Sequence, residues 1–202
     1  MPQSEKHVGH PYHERIGELL TEIMKNADRD KYQLVLDSAC ERDKGSTRLH
    51  TIPFYGEGDE KEKNRREYCD VDAIILEKGV KEQAVKIIIE IEESGINSMK
   101  VCGKVLAASL CSKCRYDSKM RGFVSILPEV TFIQILDLTD DMMKEKSTMK
   151  AKLTRLGNDI QKMTEAGRLN RIKGYHLFIG NEMPLRDSED NDFNSILGSL
   201  IN

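Results

Sequence analysis

The chain has 202 residues, a formal net charge of −3, and 39% hydrophobic and 32% charged residues, enough to bury one core and too few for two large ones. No run approaches the roughly 20 consecutive apolar residues of a membrane span, and residues 1–10 lack the apolar stretch of a secretion signal, so a cytoplasmic protein with no membrane partner is expected. The acidic total excludes a globally basic nucleic-acid binder, so any such surface must be local. Pro11 stands where a first helical turn would begin, and Ile16, Leu19, Leu20, Ile23 and Met24 recur at helical spacing, which predicts an amphipathic helix. Residues 32–38 read as a short strand. A polar passage over 41–66, interrupted by 51–55, reads as a long mobile loop, as does the start at 1–10.

Two β-branched runs follow, at 69–76 (CDVDAIIL) and 84–92 (AVKIIIEIE), and the link around Gly79 makes them a hairpin. Over 98–114 the apolar residues Cys102, Leu106 and Leu110 repeat every four positions, predicting a helix on the sheet. The continuously apolar run 130–136 predicts a central strand, and Asp140 and Asp141 open a long helix that ends near Gly167. A last strand at 175–180 and a C-terminal helix at 190–202 complete a single α/β domain spanning 1–202.

The chemistry sits on the hairpin. Side chains alternate along a strand, so Asp70, Asp72, Ile74 and Leu76 are expected on one face. On the second strand Lys86, Ile88, Glu90 and Glu92 share a side, opposite the ridge of Val85, Ile87, Ile89 and Ile91. A turn at 79–81 pairs residues whose numbers sum to roughly 160, which brings Asp72 to Glu90 and Glu92. Three acids at one spot cannot all stay ionised without compensation, and a bound cation is the usual remedy. An all-oxygen set selects a hard ion, Mg²⁺ first, with Mn²⁺ as a substitute; such an ion makes water a better nucleophile toward phosphorus.

CDVDAIIL, followed eighteen residues after Asp72 by Glu90 in IIIEIEES, resembles the core of the PD-(D/E)XK nuclease superfamily over about residues 66–115. The resemblance implies a restriction-endonuclease-like three-layer α/β/α fold with a central mixed sheet of about five strands. It also implies metal-binding and catalytic roles for Asp72, Glu90 and the Glu92 position. Glu92 stands where the family has lysine, as in the E-x-E variant of some type II restriction endonucleases, and becomes an added metal ligand or a general base. Lys86, or Lys100 or Lys104 on the next helix, is left to supply the missing cation. Asp70 competes with Asp72 for the metal, and Glu18 resembles the extra acid often found on the first helix.

The function implied is a Mg²⁺-dependent deoxyribonuclease of a bacterial or archaeal restriction system. It would act as a homodimer on double-stranded DNA and need no nucleotide cofactor. A repair or junction-resolving nuclease of the same fold and an inert nucleic-acid-binding protein are the alternatives. Phosphate contacts are expected from Arg42, Lys44 and Arg48 in the long loop, from Lys150 and Arg155 on the long helix, and from Arg168, Arg171 and Lys173. The dimer interface is assigned to the C-terminal helix or the Met-rich stripe of the long helix. His7, His10 and His13 recur every third residue, but they straddle Pro11 and no fourth zinc ligand is apparent. The five scattered cysteines fit a reducing compartment, and Cys111 and Cys114 read as packing residues.

Overall fold

The structure, a computed structural model, describes residues 10–41, 51–57, 67–79, 82–117, 122–138, 146–187 and 189–202. Helix α1 (Pro11–Met24) starts at the proline and leads to strand β1 (Tyr32–Leu36). Strands β2 (Ile52–Tyr55), β3 (Glu67–Val71), β4 (Ala73–Lys78) and β5 (Gln83–Glu92) follow, then helix α2 (Ser98–Ser109). The rest is β6 (Lys113–Cys114), β7 (Val124–Leu136), α3 (Lys146–Glu165), β8 (Ile172–Ile179) and α4 (Phe193–Ile201). Among the described residues no helix is long and apolar enough to cross a membrane.

The sheet is mixed and has eight strands in the order β1-β4-β5-β7-β6-β2-β3, with β8 also paired to β7. This exceeds the expected five: the strand expected over 69–76 is broken at Asp72 into β3 and β4, and β2 and β6 are added where the sequence pattern is weak. β2 is a four-residue apolar island, IPFY, within the polar passage. β6 takes the last two residues of the span predicted as helix, because α2 stops at Ser109. β7 begins at Val124 rather than 130, so one strand borders β6 with its first half and β8 with its second. β3 and β4 are separated by Asp72 alone yet lie far apart in the strand order, so the sheet curls back on itself there.

Helices cover both faces. On one, Ile16 and Leu20 of α1 and Phe193 and Leu197 of α4 pack with Ala73, Ile75, Ile87, Ile89 and Phe178. On the other, Val101 and Val105 of α2 and Leu153 and Ile160 of α3 pack with Ile74, Ile88, Phe132 and Leu177. Each such fully buried aliphatic side chain contributes roughly 2 kcal/mol of transfer free energy, so the two cores fix which way each strand faces. Residues 1–9, 42–50 and 139–145, with the segments read as mobile or as a helix start, lie outside the described residues.

Strand parity departs from the expectation at two points. Val71 and Ile74, three residues apart, both face the α2 side, so the alternation slips by one residue at Asp72, and Asp70 does not share the face of Ile74 and Leu76. A bulge at Ile75/Leu76 puts Val85 on the α2 side while Ile87 faces α1. Lys86 is therefore turned away from Glu90, and its Nζ reaches the Tyr32 hydroxyl at 3.0 Å.

α1 approaches the turn after β1 closely: a Cβ at Gly17 would stand 2.2 Å from the Cys40 carbonyl oxygen. Alanine is ordinarily the better helix former by about 1 kcal/mol, but a clash with rigid backbone outweighs that. Gly17→Ala is therefore expected to destabilise the protein by about 1–3 kcal/mol in urea unfolding, whereas Gly103→Ala on α2, whose Cβ meets nothing within 4 Å, should be neutral or stabilising.

Candidate functional site

β5 is the strand between β4 and β7, and its C-terminal half carries two carboxylates into the interior: Glu90 is 2% and Glu92 5% exposed. They share the α2 side with Ile88. α2, capped by the Asn97 side chain accepting the Lys100 N–H at 2.9 Å, runs back over them. Four residues of helix rise about 6 Å and two of strand about 6.6 Å, so Lys100 and Lys104 match the spacing of the two acids in reverse order. Lys104 Nζ pairs with Glu90 Oε1, and Lys100 Nζ pairs with Glu92 Oε2. The other oxygens, Glu90 Oε2 and Glu92 Oε1, are buried and have no hydrogen-bond partner among the described residues.

Burial, then the charge of Asp72, holds Glu90 well above the usual carboxylate range; Lys104 works against this and Glu92 adds to it. Burial pulls Lys104 down, but Glu90, with Glu92 and Asp72, outweighs it and raises the ammonium's pKa above its ordinary value. Lys104 Nζ also donates to the Asp70 carbonyl at 3.3 Å.

Asp72 lies in the bend between β3 and β4. The β4–β5 ladder ends with Ala73 opposite Ile89, and Asp72 Oδ2 takes the next bond, accepting the Ile91 N–H at 2.6 Å. Its Oδ1 is 3.6 Å from His13 Nε2, and its carbonyl accepts the Asp37 N–H at 2.8 Å. Asp37 Oδ1 accepts the amides of Ala39 and Cys40 and closes the turn after β1. Burial, with Asp72 nearby, pushes its carboxyl up to about 6, against the amide of Cys40.

The first turn of α1 meets these acids. His10, the N-cap, makes no side-chain capping bond. Glu93 supplies the cap from β5's end instead, its Oε1 accepting the His13 N–H at 2.8 Å. The same oxygen is 3.0 Å from His13 Nδ1, and His10 Nδ1 is 3.4 Å from Glu93 Oε2. Burial disfavours a charged His13, but Asp72 and Glu93 outweigh it and raise its pKa to about 9. Burial of Glu93 is likewise outweighed by His13, and its carboxyl is lowered.

Asp72 thus lies at the end of the β4–β5 ladder, where Glu90 feels its charge, while Glu90 and Glu92 turn to the lysines of α2. The ligand atoms of the three acids do not all come within 4.8 Å of one another. Among the described residues, that closeness is reached by His10, His13 and Glu93. The lysines draw the glutamates toward α2, while Ile91 and His13 hold Asp72 at the bend. Glu18 is exposed on α1, and Asp70 keeps a buried Oδ1 without a hydrogen-bond partner.

Of the expected phosphate contacts, Lys150 and Arg155 are exposed on α3. Arg168, Lys173 and Arg171, the last 3.4 Å from Glu57, lie around the start of β8. The strand register places that end opposite the one holding Glu90 and Glu92. Arg42, Lys44 and Arg48 lie outside the described residues. The five cysteines are free, and Cys111 and Cys114 pack in the α2-side core. Glu93 and Asp37 go unassigned in the sequence, although Glu93 directly follows the E-x-E pair, and His13 stands out there only with His7 and His10, as a zinc spacing that lacks a further ligand.

No family model, curated protein or solved structure matches this chain.

Because the folded pKa of His13 is about 9 against an ordinary 6.5, its contribution to stability is fully present below about pH 6.5 and is lost as pH rises through 9. The unfolding free energy is expected to fall over that window by an amount of the order of 3 kcal/mol, and His13→Gln should flatten this part of the profile in urea titrations at a series of pH values.

Proposed function

We propose that this chain is a Mg²⁺-dependent endonuclease that hydrolyses phosphodiester bonds of double-stranded DNA at a specific short sequence, with Mn²⁺ able to substitute. The reading extends the α/β architecture to the restriction-endonuclease-like fold of the PD-(D/E)XK nucleases. The observation that carries it is Glu90. It is a carboxylate 2% exposed on an interior strand, with one oxygen paired to Lys104 and the other without a hydrogen-bond partner among the described residues, within the field of Asp72.

An orphaned buried carboxylate oxygen is costly unless a cation meets it, so the donor set fits a hard ion held by Asp72 and Glu90. Bound there, Mg²⁺ would supply an acidified water and charge neutralisation at the leaving oxygen. Lys104 takes up the role of the motif's lysine from α2: it fixes Glu90 through Oε1 and brings a positive charge beside the scissile phosphate. Glu92, anchored by Lys100, is available as a further ligand or as a base for the attacking water. A homodimer would let each subunit cut one strand of a palindromic site. The cytoplasm of a bacterial or archaeal cell is the corresponding location.

Incubation with unmethylated phage DNA and Mg²⁺, followed by sequencing of the ends, tests this directly. Discrete fragments with common ends are expected. Glu90→Gln should lose at least about a hundredfold in cleavage rate, equivalent to roughly 2.7 kcal/mol of barrier, and Lys104→Arg should retain more activity than Lys104→Ala. Cleavage at branched junctions in place of a fixed sequence would select the repair reading. Binding without cleavage in any divalent metal would select the inert one. Parent-like cutting by Glu90→Gln would remove the site assignment altogether. In thermal unfolding, Mg²⁺ should raise the melting temperature of the parent and leave that of Glu90→Gln unchanged.

A further inference from the structure

The groups gathered most tightly in this molecule are two imidazoles and a carboxylate, brought together by the start of α1 and the end of β5. One ligand atom each from His10, His13 and Glu93 lie within 4.8 Å of one another; His10 Nδ1 is 3.4 Å from Glu93 Oε2, and His13 Nδ1 is 3.0 Å from Glu93 Oε1. Ligands on a tetrahedral ion with bonds of about 2.0–2.1 Å stand roughly 3.3 Å apart, so three ligand atoms already within 4.8 Å of one another can close on one with side-chain adjustment. His13 is 9% exposed, and its Nδ1 faces the cluster, buried and without an aligned hydrogen bond. The two rings stand 5.4 Å apart at 65°, edge toward face, as two ligands of one ion can.

We infer that His10, His13 and Glu93 form a second metal site, distinct from the carboxylate pair of Asp72 and Glu90, that takes a borderline divalent transition ion of the Zn²⁺ class. Two imidazoles and one carboxylate select such an ion over Mg²⁺, which prefers an all-oxygen shell. His13 Nε2 stands 3.6 Å from Asp72 Oδ1, a little longer than a hydrogen bond; closing that gap would give the carboxylate–histidine–metal arrangement that fixes a ring's tautomer and direction. His10 is the outermost ligand, with its side chain 54% exposed, so the ion has an entry path and keeps at least one position for water or an anionic ligand.

Co²⁺, a spectroscopic surrogate for Zn²⁺, tests this on the untagged full chain. One equivalent of Co²⁺ should give visible ligand-field bands that Zn²⁺ abolishes by displacement. The bands should survive in Glu90→Gln, which disables the proposed hard-ion site, and vanish in His10→Ala and Glu93→Gln. Zn²⁺ affinity, measured by chelator competition, should fall at least about tenfold in His10→Ala, whose exposed position leaves the fold intact. Absence of bands in the parent, or bands that persist in His10→Ala, overturns the site. Bands lost in Glu90→Gln overturn it too, since the ion would then sit on the carboxylate pair. Failure of DNA cleavage bears on the nuclease reading alone.

Discussion

The register between one strand and the helix laid over it governs this molecule. β5 carries two carboxylates into a core of isoleucines, where an ionised group without a partner would cost several kcal/mol. α2 meets that cost because a helical step of four residues matches a strand step of two, so Lys104 and Lys100 each arrive at one acid. Each lysine satisfies one oxygen and leaves the other, and the two orphaned oxygens give the site its chemical direction.

Asp72 joins this pair to the rest. It is the residue at which the chain leaves β3 for β4, and its side chain takes a hydrogen bond that a continued strand would have taken with its backbone. The same residue touches the turn after β1 through its carbonyl and α1 through His13. One bend thus links the sheet's curl, the first helix and the acidic pair.

The framework was legible because it rests on periodicity. α1, β4, β5, α2 and β8 declare themselves through apolar spacing, and Asp72, Glu90 and Glu92 stand out because acids on core-like strands are unusual. The one-residue slip at Asp72 and the bulge at Ile75/Leu76 leave no mark in composition, so Asp70 and Lys86 were expected on faces they do not occupy. β6 and the first half of β7 are short or half polar, and β6 is held in the sheet by β2, far away in the chain. The same holds for His13 and Glu93: eighty residues separate them, and what unites them is the docking angle of α1 on the sheet, set by the contact at Gly17 and by core packing.

The cap on α1 also fixes denticity. Glu93 Oε1 is committed to the amide of His13, and releasing it would expose a helix-end donor and let the first turn fray. Glu93 therefore has only Oε2, which faces His10 Nδ1 at 3.4 Å, to turn toward an incoming cation, and can serve it through one atom only. Occupancy and helix integrity then reinforce each other, because whatever draws Glu93 into place also tightens the start of α1.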